Sequence, residues 1–326
     1  MNERSATALA HPNIALIKYW GNLDAKLRIP LNDSISMTLG ALETRTRVTF
    51  LPGLENDQFL LNGQAVDPTS AARLSAHLDH IRELAGSSMR ARVTSESNFP
   101  ASAGLASSAA GFAALTLAAT AALGLDLEPR QLSRLARRGS GSAARSIFGG
   151  FVEWIAGESD ETSYAQPIAP PDHWDLVDVI AMVSREPKAV GSTAGHSLAS
   201  TSPLQRCRIQ DAQRRVQACK HAIAARNFSQ LAAIVEQDSN MMHAIMMTST
   251  PPLLYWLPQT LAIMHSVVSW RQAGLRVCYT IDAGPNVHCI TTAQDAPEIL
   301  RRLQAMEGVR RVYASPPGGP ARLVEP

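Results

Sequence analysis

The sequence predicts an α+β fold in two lobes, and three observations carry that reading. The first half contains segments that alternate polar and apolar residues. The second half is dominated by long helical periodicities, and those helices frame a small group of strands. Strands first with helices interspersed, then helices around a small sheet, is an α+β order.

The elements follow in chain order. Residues 44–50 (TRTRVTF) alternate as a half-buried strand does. Residues 59–66 (FLLNGQAV) read as a hairpin turning at Asn62-Gly63. A helical spacing over 70–85 and a second alternation over 89–97 come next. Residues 105–123 form a helix of small residues, 129–138 and 142–148 two short helices, and 149–155 and 177–184 strands. Helices are predicted over 204–225, 228–247 and 253–273, with Pro251-Pro252 breaking the pattern before the last. Strands at 276–282 and 287–292 are joined by Ala283-Gly284-Pro285-Asn286; a helix at 296–306 and a strand at 309–314 follow. The lobe boundary is expected near 184, just after the proline-rich 167–171, giving lobes at 1–183 and 184–326. The last residues, SPPGGPARLVEP, read as a mobile end.

Composition excludes several function classes. The chain of 326 residues suits one large domain or two ordinary ones, and 45% hydrophobic with 18% charged residues is a normal globular balance. A net charge of +2 creates no general field for nucleic acid or membrane, so any anion site is local. The opening MNERSATALA lacks the apolar core of a secretory signal, and no run approaches the roughly 20 apolar residues of a membrane span. Four cysteines lie far apart without a CxxC pair, which argues against a disulfide framework or zinc and for a reducing cytoplasmic setting. His77 and His80, one helical turn apart beside Asp79, read as an exposed helix face.

Three stretches carry candidate chemistry. The first is NFPASAGLASSAAGFAAL (98–115), where small residues fill the turn before a helix. Gly104 lets the backbone approach a ligand, and Ser107 and Ser108 fall at the helix start. Unpaired N–H groups and partial positive charge at a helix N-terminus bind phosphate, and the serine hydroxyls there can reach a phosphate-bound Mg²⁺. The pattern is neither GxxxxGK[ST] nor GxGxxG, and a tightly packed Ala/Gly/Ser core helix fits the same residues.

The second stretch is LARRGSGSAARSIFGG (135–150). Gly139 and Gly141 flank Ser140 and Ser142, with Arg145 one turn later, so backbone N–H groups, hydroxyls and a planar guanidinium can converge on a phosphate or carboxylate. A Gly/Ser linker and a DNA-reading helix-turn-helix are the competing readings; the helical flanks oppose the first and the neutral charge balance the second. The third stretch is TIDAGPNVHC (280–289), where Asp282 ends a strand and opens a turn. A carboxylate there suits a base or an orienter of a hydroxyl, although turn-initiating Asp is common. A fourth feature is HPNIALIKYWGN (11–22), an apolar run that ends in Lys18, two aromatics, Gly21 and Asn22; a plain buried strand has no need of Lys18.

Together these stretches resemble the mevalonate diphosphate decarboxylases of the galactokinase, homoserine kinase, mevalonate kinase and phosphomevalonate kinase superfamily. PNIALIKYWG, IPLNDSISMTL, NFPASAGLASSAAGFAAL, RRGSGSAARSIFGGFVEW, KAVGSTAG, DSNMMHA and DAGPNVH carry the resemblance, in family order from residue 12 to residue 288. It implies an N-terminal lobe like ribosomal protein S5, a ferredoxin-like C-terminal lobe, an active site between them and a homodimer. It implies MgATP-dependent phosphorylation of the 3-hydroxyl of a 5-phosphorylated mevalonate, followed by loss of phosphate and CO₂. Small molecules, not nucleic acid or membrane, are then the partners.

The resemblance also assigns roles. Ser107 and Ser108, with the N–H groups of Ala103, Gly104, Leu105, Ala106 and Ala109, cradle the ATP phosphates. Ser107, Asp282, Lys18 and Arg145 are the catalytic set, with Asp282 facing the 3-hydroxyl and Lys18 near the transferring phosphate. Arg145 holds the substrate carboxylate, and Asn13 places Arg145 or the substrate. Tyr19, Ser140, Ser142 and Ser192 contact the substrate phosphate end. The sequence departs from the family's pattern at that end: Asn22 replaces a lysine, His196 a methionine, Thr193 an arginine of some relatives, and Met247-Thr248-Ser249 the usual LDT. A missing cation suits a substrate with fewer phosphates. The expected substrate is therefore mevalonate 5-phosphate, giving isopentenyl phosphate, with His196 touching that phosphate or filling the vacated space. Mevalonate 5-diphosphate is the alternative, a small-molecule kinase of the superfamily the second, and a nucleic-acid-binding protein the remote one.

Overall fold

A computed structural model describes residues 2–99, 107–186 and 190–325. The first half is built on two antiparallel-rich sheets. One has six strands in the order β16 (Arg322–Val324), β1 (Arg4–Ala10), β6 (Thr44–Leu51), β9 (Arg90–Ser97), β7 (Gln58–Leu61) and β8 (Gln64–Ala65). The alternation read at 44–50 is real: β6 buries every second side chain and pairs with β9 from Thr44↔Ser97 to Leu51↔Arg90. Helices α1 (Pro68–Ala85), α2 (Ser107–Ala122) and α3 (Pro129–Gly139) pack here, with α2 lying on β1 and β6. Almost every α2 side chain is small or apolar, as a helix buried on most of its circumference requires. His77 corrects the expected exposed face: it is buried on α1, with Nε2 2.8 Å from Thr116 Oγ1.

The second sheet runs β11 (Tyr164–Ala169), β10 (Phe151–Ile155), β5 (Ser34–Thr38) and β2 (Asn13–Ile17). Every residue of β2 is buried, which explains its continuous apolar run. A short hairpin, β3 (Asn22–Asp24) with β4 (Ile29–Pro30), follows β2, and α4 (Ala143–Ser146) lies between α3 and β10.

The third sheet has the order β13 (Val277–Thr280), β14 (Val287–Thr292), β12 (Leu176–Met182) and β15 (Arg311–Ser315). With α10 (Ala296–Gln304) before β15 and a helical block before β13, this is the ferredoxin-like βαββαβ order. The helical block comprises α5 (Ser192–Leu198), α6 (Gln205–Gln210), α7 (Ala212–Ala224), α8 (Phe228–Thr248) and α9 (Pro258–Gln272). The α+β class and the two-lobed organisation agree with the expectation. One apolar core spans the junction, joining Ile14, Leu16 and Ile35 to Ile180, Val216, Leu231 and Cys278.

Four boundaries differ from the sequence reading. The division expected at 183/184 falls too late, because β12 hydrogen-bonds to β14 and β15 and so belongs to the third sheet, that of the second lobe. The expected helix at 204–225 breaks at Asp211, whose carboxylate takes hydrogen bonds from Arg214 and Arg215 of the next turn. The helix expected from 253 starts at Pro258, where the Leu257 N–H donates to Thr260 Oγ1. The tail is not mobile: Thr7, Ala8 and Leu9 of β1 pair with Val324, Leu323 and Arg322 of β16, and the Gly318 N–H donates to the Thr38 carbonyl. A segment as short as RLV gives little local signal; the edge of β1 supplies the order. Among the described residues, no helix is long and apolar enough to cross a membrane.

The tail's seat is tight. A Cβ on Gly149 would lie 2.5 Å from the Gly319 carbonyl carbon, and backbone cannot step aside as a flexible side chain can. Gly149→Val is expected to lower stability by about 1–3 kcal/mol, read as a lower urea midpoint at unchanged m. A wild-type midpoint would show that the tail yields and is not a fixed strand.

Candidate active site

Strand β2 delivers Lys18 into the junction between the lobes. Lys18 Nζ meets Asp282 Oδ1 at 2.6 Å; Lys18 is 1% exposed, whereas Asp282 keeps 30% and so faces the space a ligand would occupy. Both partners are held by their backbones. The Lys18 N–H donates to Asp238 Oδ2 at 2.6 Å, and its carbonyl accepts from Arg208 Nη2 at 2.8 Å and Asn32 Nδ2 at 3.1 Å. Ile281, next to Asp282, donates its N–H to Ser239 Oγ at 3.0 Å and accepts from His243 Nε2 at 3.3 Å. Asp238, Ser239 and His243 all lie on α8, so one helix positions both halves of the ion pair. The β13 end is tied to β2 directly by Thr280 Oγ1 donating to the Ala15 carbonyl at 3.3 Å.

Burial opposes ionisation of Asp282, but Lys18, His288 and Arg145 outweigh it and hold the carboxyl below the usual carboxylate range. His243 is buried and pushed down to about 3, chiefly by burial and then by Lys18, so it is neutral and donates. Asp238 is itself fixed by Arg215, whose Nε lies 2.7 Å from Oδ1, both side chains being fully buried.

Arg145 is 2% exposed. Its Nε donates to Asn13 Oδ1 at 3.2 Å and its Nη1 to Ser34 Oγ at 2.6 Å. Asn13 in turn donates to Ser146 Oγ and to the Ser142 carbonyl. Burial lowers the Arg145 pKa to about 10, still charged at neutral pH, with Asp282 and Tyr19 opposing the shift. Among the described residues no carboxylate forms an ion pair with it. A buried guanidinium without an acid is costly unless an anion arrives. The buried positions of Arg137 and Arg145 also remove the DNA-reading alternative for 131–149.

Tyr19 stacks on His196 at 4.1 Å and meets Trp154 edge-on at 4.8 Å. Its hydroxyl donates to Asn22 Oδ1, and burial pushes its pKa up to about 12. A Cβ on Gly141 would lie 2.6 Å from Tyr19 Cε1, so the glycine of the GSGS segment is what lets Tyr19 lie against it. His196 Nδ1 accepts the Gly21 N–H at 2.9 Å, its ring also packs on Trp20, and burial lowers its pKa to about 3. A neutral His196 fills space beside Tyr19 and adds no cation. Ser192 opens α5 on an exposed turn; the helix reaches Tyr19 and Trp20 through Gly195 and His196 instead.

Ser107 and Ser108 open α2, and Ser108 Oγ lies 3.2 Å from Ser140 Oγ. This contact links the helix start to the GSGS segment. Beside it is a cavity of about 400 Å³, lined in part by Thr46, Ser95, Arg73, Ser107, Ser108 and Phe112. Ala103, Gly104, Leu105 and Ala106, expected as the rest of the phosphate cradle, lie outside the described residues. Ala109 is buried in the first turn of α2.

The structure thus brings together Asn13, Lys18, Tyr19, Asn22, Ser108, Ser140, Ser142, Arg145 and Asp282. Sequence reasoning assigned no role to Asp238, Ser239 and His243, although DSNMMHA was legible as a motif. It also passed over Arg28, Arg73, Arg208 and Arg215, which on a helical or loop pattern look like solvated charges.

Comparisons with known proteins agree over both lobes. The diphosphomevalonate decarboxylase-like N-terminal domain matches residues 10–165, and the mevalonate 5-diphosphate decarboxylase C-terminal domain matches residues 178–314. Diphosphomevalonate decarboxylase of Ganoderma lucidum is 38% identical over 92% of this chain and 81% of its own; that of Homo sapiens is 38% identical over 91% and 79%. Mevalonate diphosphate decarboxylase from Staphylococcus aureus superposes with a TM-score of 0.95 at 39% identity over 99% of both chains. A structure of MDDEF in complex with MVAPP, AMPPCP and magnesium gives 0.93 at 36% over all of both chains. The protein is a member of the mevalonate diphosphate decarboxylase family.

Proposed function

We propose that the protein decarboxylates mevalonate 5-diphosphate at the expense of ATP, yielding isopentenyl diphosphate, ADP, phosphate and CO₂. The observation that carries this is the Lys18–Asp282 ion pair beside Arg145, a buried cation that forms no ion pair with an acid among the described residues. The substrate supplies what is missing: a carboxylate for Arg145 and a hydroxyl for Asp282. The relatives named above support the diphosphate over the mevalonate 5-phosphate expected from Asn22, and MVAPP is the ligand bound in MDDEF.

The chemistry follows from the charges. Asp282 is ionised and weakly basic, so it orients the 3-hydroxyl and accepts its proton late, which suits a loose phosphoryl-transfer transition state. Lys18 places positive charge where the transferring phosphoryl group gains negative charge. ATP fits the cavity at Ser107 and Ser108, with the α2 N-terminus toward its phosphates. No acidic or histidine cluster able to hold a metal exists among the described residues. Magnesium would therefore be held by the nucleotide phosphates with the hydroxyls of Ser107 and Ser108 as hard oxygen donors, neutralising phosphate charge. Phosphorylation makes the tertiary oxygen a good leaving group. Its departure leaves cationic character at C3, and loss of CO₂ from the carboxylate beside Arg145 quenches it.

Steady-state assays with MgATP, following ADP and CO₂ on each substrate, are expected to give the higher kcat/KM for the diphosphate and equal amounts of the two products. A higher value for the monophosphate would restore that reading, and ADP without CO₂ would leave a kinase. Asp282→Asn is expected to lower kcat by about 10²–10⁴-fold while ATP affinity measured by calorimetry stays near wild type; retained turnover would refute its role. Because its neighbours depress the Asp282 pKa, the carboxylate is already ionised above the usual carboxylate range. The kcat/KM profile is thus expected to show no carboxylate inflection between about pH 5 and 8. An inflection near neutrality that Asp282→Asn abolishes would identify a raised-pKa base instead.

A further inference from the structure

Resting on that reading, one cation near the substrate's phosphate end has no assigned role. Arg28 lies in the β3–β4 turn, with φ of 53°, a backbone region that non-glycine residues rarely adopt. Its Nε donates to the Arg138 carbonyl at 3.1 Å. The next carbonyl, of Gly139, accepts from Arg73 Nη2 at 2.7 Å. Two guanidiniums therefore hang on the end of α3, directly before Ser140, Gly141 and Ser142. The positive charge of Arg28 also reaches Tyr19, where it is the foremost group opposing the effect of burial, as well as His196 and Arg73.

Capping the C-terminus of α3 accounts for one N–H of each arginine. It does not account for two like charges brought side by side. Among the described residues neither Arg28 nor Arg73 forms an ion pair with a carboxylate, and Arg73 Nε is buried without a partner. Arg73 belongs to the cavity that also holds Ser107 and Ser108. Arg28 sits in the turn of the hairpin that carries Asn22, and its charge reaches Tyr19. Asn22 has no charge to give, and its Oδ1 is occupied by the Tyr19 hydroxyl. His196 is neutral.

We propose that Arg28 is a substrate-binding residue that pairs with the diphosphate end of the substrate, beside Tyr19 and the Ser140–Ser142 segment. The cation reaches the site from the β4 side of the hairpin, and Asn22 on β3 then serves to hold the Tyr19 hydroxyl. Arg28 discriminates for the diphosphate because the more highly charged phosphate end gains more from a guanidinium.

The test compares the purified full-length protein with Arg28→Gln, Arg28→Lys and the double variant Arg28→Gln/Asn22→Lys. Arg28→Gln is expected to raise KM for mevalonate 5-diphosphate by about 10- to 100-fold, with a smaller rise for the monophosphate and unchanged KM for ATP. Arg28→Lys keeps most of the affinity, and the double variant recovers part of what Arg28→Gln loses. Unchanged KM for the diphosphate in a protein of wild-type melting temperature would overturn the assignment. A rise confined to ATP would overturn it in favour of the nucleotide. Calorimetric titration with mevalonate 5-diphosphate reads the same contact without turnover. Wild-type protein that bound this ligand through Arg28 but released no CO₂ would therefore sink the catalytic reading and leave the Arg28 assignment standing.

Discussion

The arrangement of the site depends on α8. Through Asp238 it grips the N–H of Lys18, and through Ser239 and His243 it grips the backbone of Ile281. The two ends of the Lys18–Asp282 pair come from strands in different sheets, so neither sheet alone can set their separation. A single rigid helix that bonds to both can. Asp238 holds its place only because Arg215 and the Lys18 N–H neutralise and satisfy it in a fully buried position. Breaking such a buried pair costs on the order of 3–5 kcal/mol, so the geometry of the pair and the stability of the lobe junction are tied together.

Charge balance explains the rest of the pocket. Lys18 is compensated by Asp282, and Arg208 and Arg215 by carbonyls and by Asp238. Arg145 gives its hydrogen bonds to neutral oxygens, of Asn13 and Ser34, and among the described residues no carboxylate forms an ion pair with it. A cation left in that state is an anion site prepared before the anion arrives, because its desolvation is already met when the protein folds. Water exclusion around Tyr19, Trp20, Trp154 and His196 strengthens such charge interactions. The same burial makes His196 neutral, so its ring acts as packing beside Tyr19 and Trp20.

Much of the fold was legible. The alternation of TRTRVTF, the small-residue α2 and the long α8 all appear where spacing put them, because burial of one face is written into each segment. The breaks were less legible. Asp211 interrupts an otherwise helical run through its own side-chain bonds, and RLV becomes a strand only because β1 offers an edge. The start of the second lobe was placed late because β12 looks alike whichever sheet receives it.

The sequence by itself determined the local chemistry: a lysine closing an apolar strand, glycine-flanked serines before Arg145, and an aspartate opening a turn after β13. Seven motifs in order were enough to place the family. Only the tertiary structure decided partners and charge states. Lys18 and Asp282 are 264 residues apart, and Lys18 and Asp238 are 220 apart. Whether Asp282 is depressed, His196 neutral or Arg145 without an acid depends on distance and desolvation, which arise from packing of remote segments and leave no trace in local spacing.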